Sequence, residues 1–94
     1  MTISRLTNWF GGKYDDDRLL AIVRHAIDAD PLIAEPATLT VTVKKGVITI
    51  DGVVHRAAEK DRIEGVVRNA LRTIGIKFDR VVNDLRMVNQ PQPR

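Results

Sequence analysis

Thr38-Leu39-Thr40-Val41-Thr42-Val43-Lys44-Lys45-Gly46-Val47-Ile48-Thr49-Ile50-Asp51-Gly52-Val53-Val54 is the stretch whose reading decides the fold. From Thr38 to Lys44, Leu39, Val41 and Val43 alternate with Thr38, Thr40 and Thr42. That is the period of a strand with one face buried. Val47 to Val54 is a second run rich in β-branched residues. Two turns compete between them. Asp51-Gly52 has the stronger type I′ chemistry, but it leaves only Val53-Val54-His55 as a return arm, too short to pair well. The hairpin therefore turns at Lys45-Gly46, and Gly52 becomes a bulge or a point of close approach within a strand.

Upstream, Asp15-Asp16-Asp17 precedes Leu19, Leu20, Ile22, Val23, Ala26 and Ile27, an apolar stripe with helical period. Carboxylates at that position cap free N–H groups and favour the positive end of the helix dipole. Arg24, His25 and Asp28 fall on the opposite face, and Asp30-Pro31 stops the helix. A short loop through Glu35-Pro36 leads into the first strand. Downstream, Arg56 to Thr73 returns to the helical period, with Ile63, Val66, Val67, Ala70 and Leu71 inward and Ile74 finishing the stripe. Glu64 precedes Arg68 by one turn, the favourable order for an ion pair, and Gly75 ends the helix. Gly65 lies outward, where it permits close approach by another backbone. A last strand carries Val81, Asn83, Leu85 and Met87 in one phase. The amide of Asn83 must then find hydrogen-bond partners on the apolar side.

The order is helix, strand, strand, helix, strand. The expected fold is a single α+β domain with a three-stranded mixed sheet and both helices packed on one face. The hairpin strands are antiparallel, and the second helix crosses over to a parallel third strand. Leu39, Val41, Val43, Ile48, Ile50, Leu85 and Met87 are expected to face the helices. Thr40, Thr42, Thr49 and Asp51 are expected on the open face, and both outer strands keep unpaired edges.

Residues 15–88 form this domain. Residues 1–14 read as a lead-in in which Ile3, Leu6, Trp9 and Phe10 share one side of a short amphipathic helix ended by Gly11-Gly12. Trp9 and Phe10 would then touch a membrane surface or a partner. A segment folded back on its own domain, or frayed, is the plainer reading of so short a helix. Residues 89–94, polar and broken by proline, read as a disordered tail.

Composition narrows the chemistry. The 94 residues suit one domain, and with four aromatics the core must be aliphatic. With no cysteine there is neither a disulfide frame nor a thiolate metal site. His25 and His55 lie apart, no His-x-x-x-His spacing offers zinc ligands, and no serine sits in a nucleophile elbow. No catalytic residue, metal or cofactor is expected, and the chain reads as a non-enzyme. Nucleic acid is not expected either. The net charge of +3 is mild with acids interleaved among the bases. No Gly-x-x-Gly loop joins helices, and the strands carry no aromatics for bases to stack on. With no signal sequence or membrane-length apolar run, the chain as written reads as cytoplasmic.

Asp30-Pro31, Leu39-Thr40-Val41-Thr42-Val43, Gly46-Val47-Ile48-Thr49-Ile50-Asp51-Gly52-Val53-Val54, Ala58-Glu59-Lys60, Gly75-Ile76 and Val81-Val82-Asn83-Asp84-Leu85 together resemble the core of the BON domain family. The likeness runs from about Asp15 to Val88. Lys77-Phe78-Asp79-Arg80 looks longer than the family's usual link into the last strand, which bears on the local pairing there. The resemblance implies a bacterial module of the cell envelope that attaches to phospholipid or to partner proteins, often in tandem pairs, with no catalytic residue in its pattern.

Two binding readings result. Protein association, including self-association into a homo-oligomer, would use the Thr40, Thr42, Thr49 and Asp51 face, a strand edge, or the helix face around Gly65. Attachment to anionic phospholipid would use Arg62, Arg68 and Arg72, with Arg56, Lys77, Arg80 and Arg86 beside them and Trp9 and Phe10 at headgroup level. Small-ion or ligand sensing is a weaker reading, resting on free carbonyls near Gly46 and Gly52.

Overall fold

The computed structural model describes residues 13–88. Trp9 and Phe10, with the rest of the lead-in and the tail, lie outside the described residues. Helix α1 spans Asp16–Ala29, strand β1 Thr40–Lys44, strand β2 Val47–Val54, helix α2 Ala57–Ile74 and strand β3 Arg80–Met87. The sheet has three strands in the order β1-β2-β3. β1 runs antiparallel to β2, and β3 runs parallel to it. This is the expected α+β arrangement, with β2 in the centre.

The hairpin turns at Lys45 and Gly46, whose φ values are +50° and +79°. Positive φ at both central residues matches the twist of the flanking strands. Three further residues, Asp16, Asp79 and Tyr14, hold this turn. The Asp16 carboxylate accepts the Lys45 N–H at 2.7 Å and the Gly46 N–H at 2.9 Å. The Gly46 carbonyl accepts the Asp79 N–H at 2.8 Å. The Tyr14 ring lies so close that a Cβ on Gly46 would stand 2.6 Å from it. Of the three aspartates only Asp15 caps α1, accepting the Arg18 N–H at 3.2 Å. The capping expected of Asp16 is replaced by this tie across the fold.

Gly52 is a close approach and not a bulge. Pairing runs unbroken from Val47↔Arg80 to Val54↔Met87, through Gly52↔Leu85. Gly52 has φ +141°, and a Cβ there would meet the Leu39 side chain at 3.0 Å and the Thr38 carbonyl at 3.2 Å. β1 starts at Thr40, later than the alternation predicts. A 3-10 turn occupies Pro36–Thr38. In it the Thr38 N–H donates to Glu35 O and the Leu39 N–H to Pro36 O, so neither joins the ladder.

The core is aliphatic. Leu19, Val23 and Ile27 of α1 and Ile63, Val67 and Leu71 of α2 meet Ile48, Ile50, Val54, Val81 and Leu85 of the sheet, with Ile33 and Leu39 closing one end. Val41, Val43 and Met87, expected in the core, are half-buried at its margin. Ile74, expected to finish the α2 stripe, is 50% exposed, and Leu20 is 38% exposed. Arg24 also departs from its expected outward place. Its guanidinium donates to Asp28, to the Leu39 carbonyl at 2.7 Å and to the Pro36 carbonyl. It satisfies carbonyls of a connecting segment that has no strand to pair with.

α1 begins beside the hairpin turn, as the Asp16 contacts show. β3 ends opposite Val54, at the other pole of the sheet.

Candidate functional site

Alternation along each strand fixes what the open face presents, and pairing turns it into rows. Lys44, Val47 and Arg80 form the row nearest the hairpin. Thr42, Thr49 and Val82 form the next, and Thr40, Asp51 and Asp84 the third. Val53 and Arg86 lie beyond. The face is therefore banded by charge: cations, a neutral belt, carboxylates, and then Arg86 at the far end. Asp51 accepts the Gly52 N–H at 2.7 Å and stands 3.6 Å from the Arg86 guanidinium. Among the described residues, no ion pair reaches Lys44, Arg80 or Asp84. All three are exposed.

The residues predicted for this face, Thr40, Thr42, Thr49 and Asp51, share it as expected. The contribution of β3 was missed. Arg80, Val82 and Asp84 alternate with Val81, Asn83 and Leu85, so their side was readable. Their place beside Thr40, Thr42 and Lys44 needed the β2–β3 register.

The helical residues fall into different environments. The Arg62 guanidinium grips both Asp30 carboxylate oxygens, at 2.9 and 3.1 Å. Arg68 donates to Glu64 at 2.9 Å. Arg72 is exposed, and among the described residues no ion pair reaches it. Gly65 borders a shallow groove of about 500 Å³ lined by Ala26, Asp30, Arg62, Val66 and Asn69. A Cβ at Gly65 would meet no atom within 4 Å. A smaller cleft of about 160 Å³ lies beside exposed Leu32, with Arg56, Glu59 and Ile63 in its wall.

Asn83 finds the partners its position demands. Its amide donates to the Lys60 carbonyl at 3.2 Å and to Glu64 at 3.1 Å, and its oxygen accepts the Leu85 N–H. The Arg68 guanidinium first, then the Asn83 amide, hold the Glu64 carboxyl below the usual glutamate range, against the opposing effect of partial burial. A carboxyl whose folded pKa is depressed stabilises the fold above its unfolded pKa, and that contribution fades as pH falls through the folded value. Below about pH 4, Glu64→Gln is therefore expected to lose less stability on further acidification than the wild type. Urea unfolding at stepped pH measures this, and parallel acid limbs would contradict it.

His25 is exposed, and His55 is 60% exposed with Nε2 4.0 Å from a Glu35 oxygen. Among the described residues, no group of three or more His, Cys, Asp or Glu side chains could hold a metal ion. No helix there is long and apolar enough to cross a membrane.

A model of the BON domain family matches residues 15–89. The chain belongs to the BON domain family. No curated protein matches it. Within this BON domain, Lys77-Phe78-Asp79 forms the approach to β3 without disturbing its pairing, since the ladder starts at Arg80 opposite Val47. The Gly46 carbonyl that holds Asp79 fixes that approach.

Proposed function

We propose that this BON domain is a non-catalytic module that binds protein through the open face of its sheet. The observation that carries the reading is the banded face itself. It is broad and exposed, and its Lys44, Arg80 and Asp84 charges have no partner among the described residues. Charged groups left without partners on an open surface suit complementary recognition. On the helical side, Arg62 and Arg68 are already paired with Asp30 and Glu64.

A photoreactive amino acid placed at Thr42 in the native host tests this, with Asn69 on α2 as the comparison. Covalent protein adducts at Thr42 and not at Asn69 are expected. Adducts confined to lipid, or equal at both positions, would remove the reading.

One observation favours attachment to anionic phospholipid as the second reading. Lys44, Lys45, Lys77 and Arg80 are exposed at the hairpin pole, and no ion pair among the described residues reaches them. Each such cation contributes about 1 kcal/mol near an anionic surface. Co-sedimentation with phosphatidylglycerol vesicles, absent with phosphatidylcholine alone, separates this reading from the first. The sensing alternative has less to stand on, because the Gly46 carbonyl accepts the Asp79 and Arg80 N–H groups.

A further inference from the structure

The charge bands on the open face are complementary to themselves. The cation row of Lys44 and Arg80 and the carboxylate row of Asp51 and Asp84 lie on either side of the Thr42–Thr49–Val82 belt. Each is one side-chain repeat, about 7 Å, from that belt. A two-fold axis lying between stacked sheets and running across the strands, over the belt, reverses strand direction and preserves strand order. It places Arg80 of each copy over Asp84 of the other and lays Thr42, Thr49 and Val82 on themselves. Lys44 then faces the Thr40 and Asp51 end. An axis along the strands would instead bring Lys44 over Arg80, cation on cation. Resting on the protein-association reading above, we propose that the partner is a second copy of this chain, stacked sheet to sheet about the axis that crosses the strands.

The face is a better site for a second copy than either edge. The N–H groups of Arg80 and Val88 donate to Gly46 and Val54, so even-numbered N–H groups of β3 point towards β2. Odd-numbered ones point outward, and the Leu85 N–H among them is already taken by the Asn83 oxygen at 3.1 Å. That blunts the β3 edge against strand addition. The β1 edge is only five residues long and ends in Lys44.

Area sets the strength. Strands about 4.8 Å apart with rows about 7 Å apart give a face of roughly 400 Å² per copy, about half the standard interface. The dimer is therefore weak, forming at high micromolar concentration or when copies are held together. It is also salt-sensitive, because exposed charges supply its register.

Sedimentation equilibrium from low micromolar to about 1 mM tests this on the wild type, on Lys44→Glu/Arg80→Glu and on Asp51→Lys/Asp84→Lys. Circular dichroism checks that each is folded. The wild type is expected to dimerise and to weaken with added salt. Each row reversal alone places like charge on like charge and is expected to weaken the dimer roughly tenfold or more. An equimolar mixture of the two reversals is expected to recover association as a heterodimer. If a double reversal does not fold, the single changes Arg80→Glu and Asp84→Lys are run in the same way. A wild type monomeric throughout overturns the self-stacking, as do dimers indifferent to both reversals, or a mixture that fails to associate. The association reading survives any of these if the Thr42 cross-link captures a different protein, and falls with them if it captures none.

Discussion

Ile50→Ala is expected to lower the free energy of unfolding by about 2 to 5 kcal/mol. Ile50 is on the central strand, fully buried, between Val41 on one side and Asn83 on the other. Ile50 belongs to the one buried cluster that both helical stripes form with the sheet, so truncation leaves a cavity in the core. A domain of this size has about 5 to 10 kcal/mol in total, so the variant loses a large share of its stability. Urea unfolding reads the change as a lower midpoint with an unchanged slope. Thr49→Ala on the open face is the control, expected within about 0.5 kcal/mol of wild type. A larger loss at Thr49 than at Ile50 would mean that the burial phase of β2 is reversed.

Gly52→Val is expected to be about as damaging, by a different route. The φ of +141° is a conformation that a β-branched residue adopts only under strain. Such strain costs of order 1 to 3 kcal/mol. The Thr38 carbonyl, 3.2 Å from the added Cβ, is backbone held by the 3-10 turn and by Arg24 nearby, so it cannot swing aside. Overpacking adds about 1 to 3 kcal/mol. Gly52→Ala should lie between wild type and valine, because it carries the strain with less of the crowding. A valine variant as stable as wild type in thermal unfolding would rule out the close approach of Leu39 and Gly52.

Much of the fold was legible because it rests on period and turn chemistry. The choice of Lys45-Gly46 over Asp51-Gly52 came from arm length, and β2 runs from Val47 to Val54 as read. The need of Asn83 for partners followed from its phase alone. What was not legible depends on long polar side chains that choose partners in three dimensions. Asp16 lies in a run of aspartates that reads as capping, yet its partners, Lys45 and Gly46, are far along the chain. Arg24 sits on the polar side of a helical wheel, yet its reach carries it round to Pro36 and Leu39. Ile74 fits the stripe by spacing, yet as the last residue of α2 it is exposed. For the candidate site, the Thr40, Thr42, Thr49 and Asp51 side was readable from one strand pair. Its charge banding was not, because Arg80 and Asp84 join those rows only through the parallel register of β3.

The two poles of the sheet have a mechanical consequence. The chain comes into α1 at the hairpin pole and leaves β3 at the far one. Tension applied through the flanking segments thus pulls β3 lengthwise against β2, and the rungs between them resist together instead of parting one after another. A domain strung in this way would carry a tether's load along its strands and would hold until the whole ladder slipped at once.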